Sequence, residues 1–233
     1  MKKAIHQPFR RPTAFWNEDR SLSALLILLL LQIFILPLLQ QEGHVIFKIV
    51  NGLVCSLFLL TGLVAATSSR MARGLLAGLV VAAVTARWLA VTVHSPALLV
   101  TDGLLSLGTS LCFTAAVLRK VYAKGVVSAH RVRGAIAAYL LFGYTFATAY
   151  RLIHIVCPGS FAINASLMQP GQELAGVFIY FSFVTLTTVG FGDVTAIHPL
   201  AKSLVMLEGI TGTLYPAILL ARLVSLQLEH EKR

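Results

Sequence analysis

The chain has 233 residues, of which 57% are hydrophobic and 12% charged, with a formal net charge of +10. A soluble domain carries roughly twice that charged fraction, and the apolar residues here gather in blocks of about twenty, the length that spans a hydrocarbon core as a helix. A polytopic membrane protein is therefore expected, and a water-soluble domain is excluded.

The positive charge does not point to nucleic acid. Lys and Arg lie between the apolar blocks and build no groove-sized cluster with interleaved aromatics, so membrane topology accounts for them. Cys55, Cys112 and Cys157 are far apart and lack metal-ligand spacing. The first two read as small apolar residues in helices, and Cys157 as an unpaired thiol near a helix end.

Residues 1–20, "MKKAIHQPFRRPTAFWNEDR", are polar and basic and read as a cytoplasmic arm. Five apolar spans are then predicted, at 21–39, 45–66, 74–93, 97–118 and 135–156. No small-x-small cleavage pattern follows the first, so a removed signal peptide is not expected. The apolar stretch 174–186 is too short to cross a bilayer, and a last span is predicted over 199–226. Basic residues crowd the arm, the second connection (Arg70, Arg73), the fourth (Arg119, Lys120, Lys124, Arg131, Arg133) and the C-terminal end (Arg222, Lys232, Arg233). Only Lys48 and Lys202 fall on the opposite side. The positive-inside rule thus puts both termini in the cytoplasm and the short stretch on the outer side.

After that stretch comes "TTVGFGD", Thr187 to Asp193. Glycines this close together are poor helix material, because each loses more backbone entropy on folding than any other residue. Irregular backbone at membrane depth is tolerated only when buried in protein or lining a wet cavity. A dehydrated alkali cation needs about eight oxygens to replace its water, and rings of backbone carbonyls supply them when a strand turns its C=O groups inward. Glycine at alternate positions permits the necessary backbone angles, and a threonine hydroxyl at the inner end adds a further ring. One strand contributes one oxygen to each ring, so a chain with one such segment must assemble four copies around an axis.

With a half-membrane helix before it and a full span after it, "TTVGFGD" resembles the signature of the potassium channel family. The resemblance is sharp over 174–226, while the first four spans match in number only, as in a six-span, one-pore subunit of prokaryotic type. It implies an all-α membrane protein of six transmembrane helices with a re-entrant pore helix and selectivity filter, assembled as a homotetramer. It further implies passive K+ conduction in the cell membrane, with the lipid bilayer as surroundings, no cofactor beyond the permeant ion, no enzymatic reaction and no nucleic acid. By resemblance, the carbonyls of Thr188, Val189, Gly190 and Phe191 and the Thr188 hydroxyl are the potassium ligands, while Gly192 and Asp193 shape the outer mouth. The expected organisation is an arm (1–20), a four-helix membrane region (21–118), a cytoplasmic linker (119–133), a pore domain (134–228) and a short tail (229–233).

Two departures from the family pattern stand out. Phe191 replaces the commoner tyrosine, which removes a phenol, and Val184 stands where some bacterial relatives carry a glutamate paired with the mouth aspartate. The rival readings are an ion-binding subunit of a potassium transporter and a non-conducting receptor on a pore scaffold. Transporters of that kind carry four diverged loops in one long chain, whereas this chain has one.

Voltage sensing requires several basic residues in the fourth span, since each charge yields about 2.3 kcal/mol per 100 mV. The fourth span, 97–118, contains no Lys or Arg, so strong voltage gating is not expected. Charges that fall well inside spans include Arg87, Arg151 and Glu208. Arg87 and Asp102 flank a short hairpin at similar depth and read as a structural ion pair. Arg151 is expected to snorkel or to touch the pore helix, and Glu208 to face either the fifth span or the cavity. His44, His94, His154 and His198 read as interfacial residues rather than pH sensors. A gating hinge is expected at Gly212 and Pro216, with Gly209 adding flexibility one turn earlier, against the alternative that the small residues serve close packing.

Overall fold

The computed structural model of the chain describes residues 22–35, 37, 45–66, 70–93, 95–123, 129–168 and 174–231. The basic arm, His44, His94 and Lys124 lie outside the described residues. Helix α1, Leu22–Ile35, buries Leu22, Leu25, Leu29 and Ile33 at helical spacing. Its last turn, Leu31–Ile35, widens to a π-helix and holds Gln32 buried. From there Gln32 Nε2 donates to the Tyr144 hydroxyl at 2.7 Å.

Helices α2 (Val45–Ala66), α3 (Arg70–Thr92), α4 (Pro96–Val121) and α5 (Ala129–Val156) follow. Proline at the first turn of α4 suits a position whose N–H has no helical partner. The buried face of α4 is unusually polar: Ser106, Thr109, Ser110 and Thr114 alternate with Phe113 and Val117. Their hydroxyls are satisfied within the helix, as when Thr109 donates to the Leu105 carbonyl at 2.9 Å and Thr114 to that of Ser110 at 2.8 Å. Small residues on this face let α4 lie close to α5, where Gly103 meets Leu152 and Thr114 meets Thr145. Phe58 of α2 completes this core, edge-on to both Phe113 and Tyr144.

Helix α5 ends in a turn in which Gly159 has φ +82°, a conformation glycine adopts without steric penalty. Strand β1 (Phe161–Ile163) comes next, then helix α6 (Leu174–Leu186), strand β2 (Val194–Ala196) and helix α7 (Pro199–Glu231). The strands pair antiparallel, Phe161 opposite Ala196 and Ile163 opposite Val194. This small sheet is an addition to a fold that is otherwise helical, as expected. Each strand is three residues long, too short for a two-residue hydrophobic alternation to register. A second core cluster of Tyr150, Phe161, Val177, Phe178, Phe181, Val194 and Ala201 joins α5, α6, α7 and the sheet.

Among the described residues, four helices are long and apolar enough to cross a membrane: Arg73–Ala90, Pro96–Val121, Arg131–Val156 and Pro199–Arg222. The chain is a multi-pass helical membrane protein. Helix α4 runs on to Val121 and α5 begins at Ala129, so helix enters both ends of the expected 119–133 linker. Its start is tied to α7, where Arg222 donates to the Tyr122 carbonyl and its guanidinium lies 4.8 Å over the Tyr122 ring.

Candidate functional site

The site is the irregular segment 187–193, delivered by α6. The carbonyls that α6 leaves free at its end accept the first amides of the segment. Thr188 N–H donates to the Thr185 carbonyl at 2.9 Å, and Val189 N–H to that of Val184 at 2.9 Å. Beyond them the backbone alternates in hand: φ is +60° at Thr188, +60° at Gly190 and +78° at Gly192. Thr188 is the only non-glycine residue with positive φ among the described residues, so Val189 and Phe191 stay in the ordinary region. A β-branched residue held there costs of order 1–3 kcal/mol, a strain that clusters at functional sites.

The far end is anchored as well. The Asp193 carbonyl accepts from Asn164 N–H at 2.9 Å, and β2 continues into the sheet. The Asp193 side chain accepts from the Tyr180 hydroxyl at 2.6 Å and from Val194 N–H at 3.0 Å. Tyr180 therefore supplies the brace that valine at 184 cannot. It sits one helical turn before Val184 on the same face of α6, and that spacing was the available signal. Its ring also lies nearly parallel to that of Phe191, with centroids 6.4 Å apart.

Helix α7 passes behind α6 and turns Glu208, Gly212 and Tyr215 toward it and α5. A Cβ on Gly212 would lie 1.9 Å from the Leu186 carbonyl oxygen, whereas one on Gly209 would meet nothing within 4 Å. Gly212 is thus required for close approach to the end of α6, whatever else it does. Glu208 is completely buried, with Oε2 at 2.5 Å from the Tyr150 hydroxyl and Oε1 at 2.5 Å from Ser182 Oγ. Of the two placements its sequence position allowed, the one toward α5 is correct.

Away from the segment, Asp102 serves two arginines. Its Oδ1 lies 3.1 Å from Arg87 Nε and its Oδ2 lies 3.0 Å from Arg151 Nη2. Arg87 also donates to Ser106 Oγ at 2.9 Å. Arg151, expected to snorkel or to reach α6, instead joins α5 to α4 through this carboxylate. Both arginines border a cavity of about 50 Å³ shared with Gln32, Asn51, Cys55 and Tyr144. His154 packs against the Phe178 ring, and His198 Nδ1 accepts from Leu200 N–H at 3.2 Å.

Residues 138–228, which run from α5 through α6 and the "TTVGFGD" segment into α7, match the family model described as "Ion channel". The chain is also 35% identical over 92 residues to the two pore potassium channel c of Oryza sativa subsp. japonica. Residues 138–228 carry an ion-channel domain. The match to the rice protein covers 40% of this chain and 18% of that protein, so the chain spans less than a fifth of that relative's length.

Within this ion-channel domain the two α7 glycines are expected to behave differently. Gly212→Ala forces a methyl group into the Leu186 carbonyl and should cost about 1–3 kcal/mol, as overpacking does. Gly209→Ala meets open space and should be neutral or slightly stabilising, since alanine favours helix. Thermal unfolding of the detergent-solubilised variants separates the two, and equal midpoints would show that α7 does not approach α6 this closely.

Proposed function

We propose that the chain is one subunit of a homotetrameric, potassium-selective channel with six spans, both termini cytoplasmic, in the cell membrane. The observation that carries this reading is the alternation of positive φ at Thr188, Gly190 and Gly192 in a segment anchored at both ends. When every second residue takes the opposite hand, successive carbonyls turn to the same side, as a file of cation-binding oxygens requires. In this reading the carbonyls of Thr188, Val189, Gly190 and Phe191 and the Thr188 hydroxyl ligate K+, and Gly192 and Asp193 form the outer mouth. The exposure of Val189 (56%) and Phe191 (68%) in the single chain favours assembly, because neighbouring copies would cover these side chains.

The gate is assigned to α7. Pro216 lies inside that helix and leaves the Gly212 carbonyl without its usual amide partner. Gly209 adds freedom one turn earlier, while the crowding at Gly212 makes this glycine a fulcrum against α6 as much as a flexible point.

Recording from purified protein in planar bilayers tests the proposal, with potassium on one side and sodium on the other. A reversal potential near that of potassium, with unitary steps, is expected. Conductance should depend only shallowly on voltage, because 97–118 has no cationic side chain to move through the field. A reversal potential near zero, or a steep curve with several gating charges, would contradict it.

A further inference from the structure

The environment of Glu208 can be resolved by counting protons. Three oxygen–oxygen contacts form a chain: Tyr150 hydroxyl to Glu208 Oε2 at 2.5 Å, Glu208 Oε1 to Ser182 Oγ at 2.5 Å, and Ser182 Oγ to the Gly143 carbonyl at 2.6 Å. Contacts this short are hydrogen bonds, and each needs a proton between its oxygens. Tyr150 and Ser182 have one hydroxyl proton each, and a backbone carbonyl has none. The third proton must come from Glu208. With that proton on Oε1, every group is satisfied: Glu208 donates to Ser182, Ser182 to Gly143, and Tyr150 to Oε2. An ionised Glu208 would leave one contact as lone pair against lone pair. Among the described residues, no Lys, Arg or His forms an ion pair with it.

The four residues of this chain of contacts lie on three different elements of the ion-channel domain. Tyr150 and Gly143 belong to α5, Ser182 to α6, and Glu208 to α7. Gly143 lacks a Cβ where one would strike the Phe183 ring of α6 at 2.6 Å, so α5 and α6 are in close contact at this point. Ser182 stands one turn before Leu186, and Glu208 stands one turn before Gly212, which abuts the Leu186 carbonyl. The two contacts together fix the height of α6 along α7. The carbonyls of Val184 and Thr185, between Ser182 and Leu186, hold the amides of Thr188 and Val189. The position of Ser182 therefore sets that of the "TTVGFGD" segment.

We infer that Glu208 is a neutral carboxylic acid and the positioning residue that clamps α6, and through it residues 187–193, between α5 and α7. Its effect on conduction rests on the channel reading above, while its protonation state does not. Glu208→Gln keeps a donor for Ser182 and an acceptor for Tyr150, whereas Glu208→Ala keeps neither, and Ser182→Ala breaks the relay in the middle.

The test combines infrared spectroscopy of the detergent-solubilised protein with bilayer recording. The spectrum of the intact chain should contain the carbonyl stretch of a protonated carboxyl that Glu208→Gln removes. Potassium-over-sodium permeability and open probability should stay within about threefold of the intact chain in Glu208→Gln. They should fall about tenfold or more in Glu208→Ala and in Ser182→Ala, where buried hydrogen bonds go unmade. A carboxylate band removed by Glu208→Gln would overturn the assignment, as would a Gln variant as impaired as the Ala variant. If the intact chain conducts no potassium, the channel reading fails. The infrared band, and the order of thermal stability with Gln above Ala, then still decide the state of Glu208.

Discussion

Gly190→Ala should abolish selective potassium current while leaving the chain folded. The reason is conformational and not steric, because a Cβ at this position meets nothing within 4 Å in the single chain. At φ +60° an L-residue with a Cβ loses roughly 1–2 kcal/mol. In the proposed fourfold assembly that penalty would recur four times around one axis, at the point where the proposed carbonyl ligands face inward. The backbone is expected to relax to negative φ and turn the Gly190 carbonyl away from the ion path. Bilayer recordings on the variant, with size-exclusion chromatography to verify assembly, check this. If Gly190→Ala conducts potassium as selectively as the unaltered chain, residues 188–191 do not ligate the ion.

The second large effect is expected at Asp102. Removing one partner of a fully buried charge pair costs about 3–5 kcal/mol. Here the loss of one carboxylate strands two guanidiniums, of which Arg87 is 12% and Arg151 27% exposed. Asp102→Asn should therefore destabilise the protein more than Arg87→Gln or Arg151→Gln does alone. Combining Arg87→Gln with Asp102→Asn should recover only part of that loss, because Arg151 remains unpaired. The triple variant should recover more. Thermal unfolding across this set measures the coupling, and simple addition of the single losses would show that the three charges act independently.

The apolar blocks were legible because hydropathy is written along the chain. Helices α2 and α6 are described over the predicted ranges, 45–66 and 174–186. Relative to hydropathy, α3 and α5 start earlier, α7 ends later and α4 extends at both ends, since a helix continues into the interface after its apolar residues stop. Partnerships across helices were harder to read. Arg87 and Asp102 could be matched because a short hairpin joins their helices at similar depth. Arg151 could not, because its link to Asp102 depends on how α5 is rotated against α4. The same limit hid the Tyr180 brace on Asp193 and left two placements open for Glu208. Gly212 illustrates a different ambiguity: spacing identifies a glycine that matters, but flexibility and close approach demand the same residue. Only the nearby Leu186 carbonyl distinguishes them.

The double anchoring of residues 187–193 has a consequence for how this region can vary. Its start is held by the Val184 and Thr185 carbonyls, and its end by the Asn164 amide and the register of β1 with β2. A loop pinned at both ends has no slack to absorb a change in length. One inserted or deleted residue would also move the positive-φ positions onto Val189 and Phe191, side chains that strongly resist that conformation. Diversification here is thus confined to exchanging one side chain for another at constant length, and single-codon insertions or deletions in this stretch should be purged.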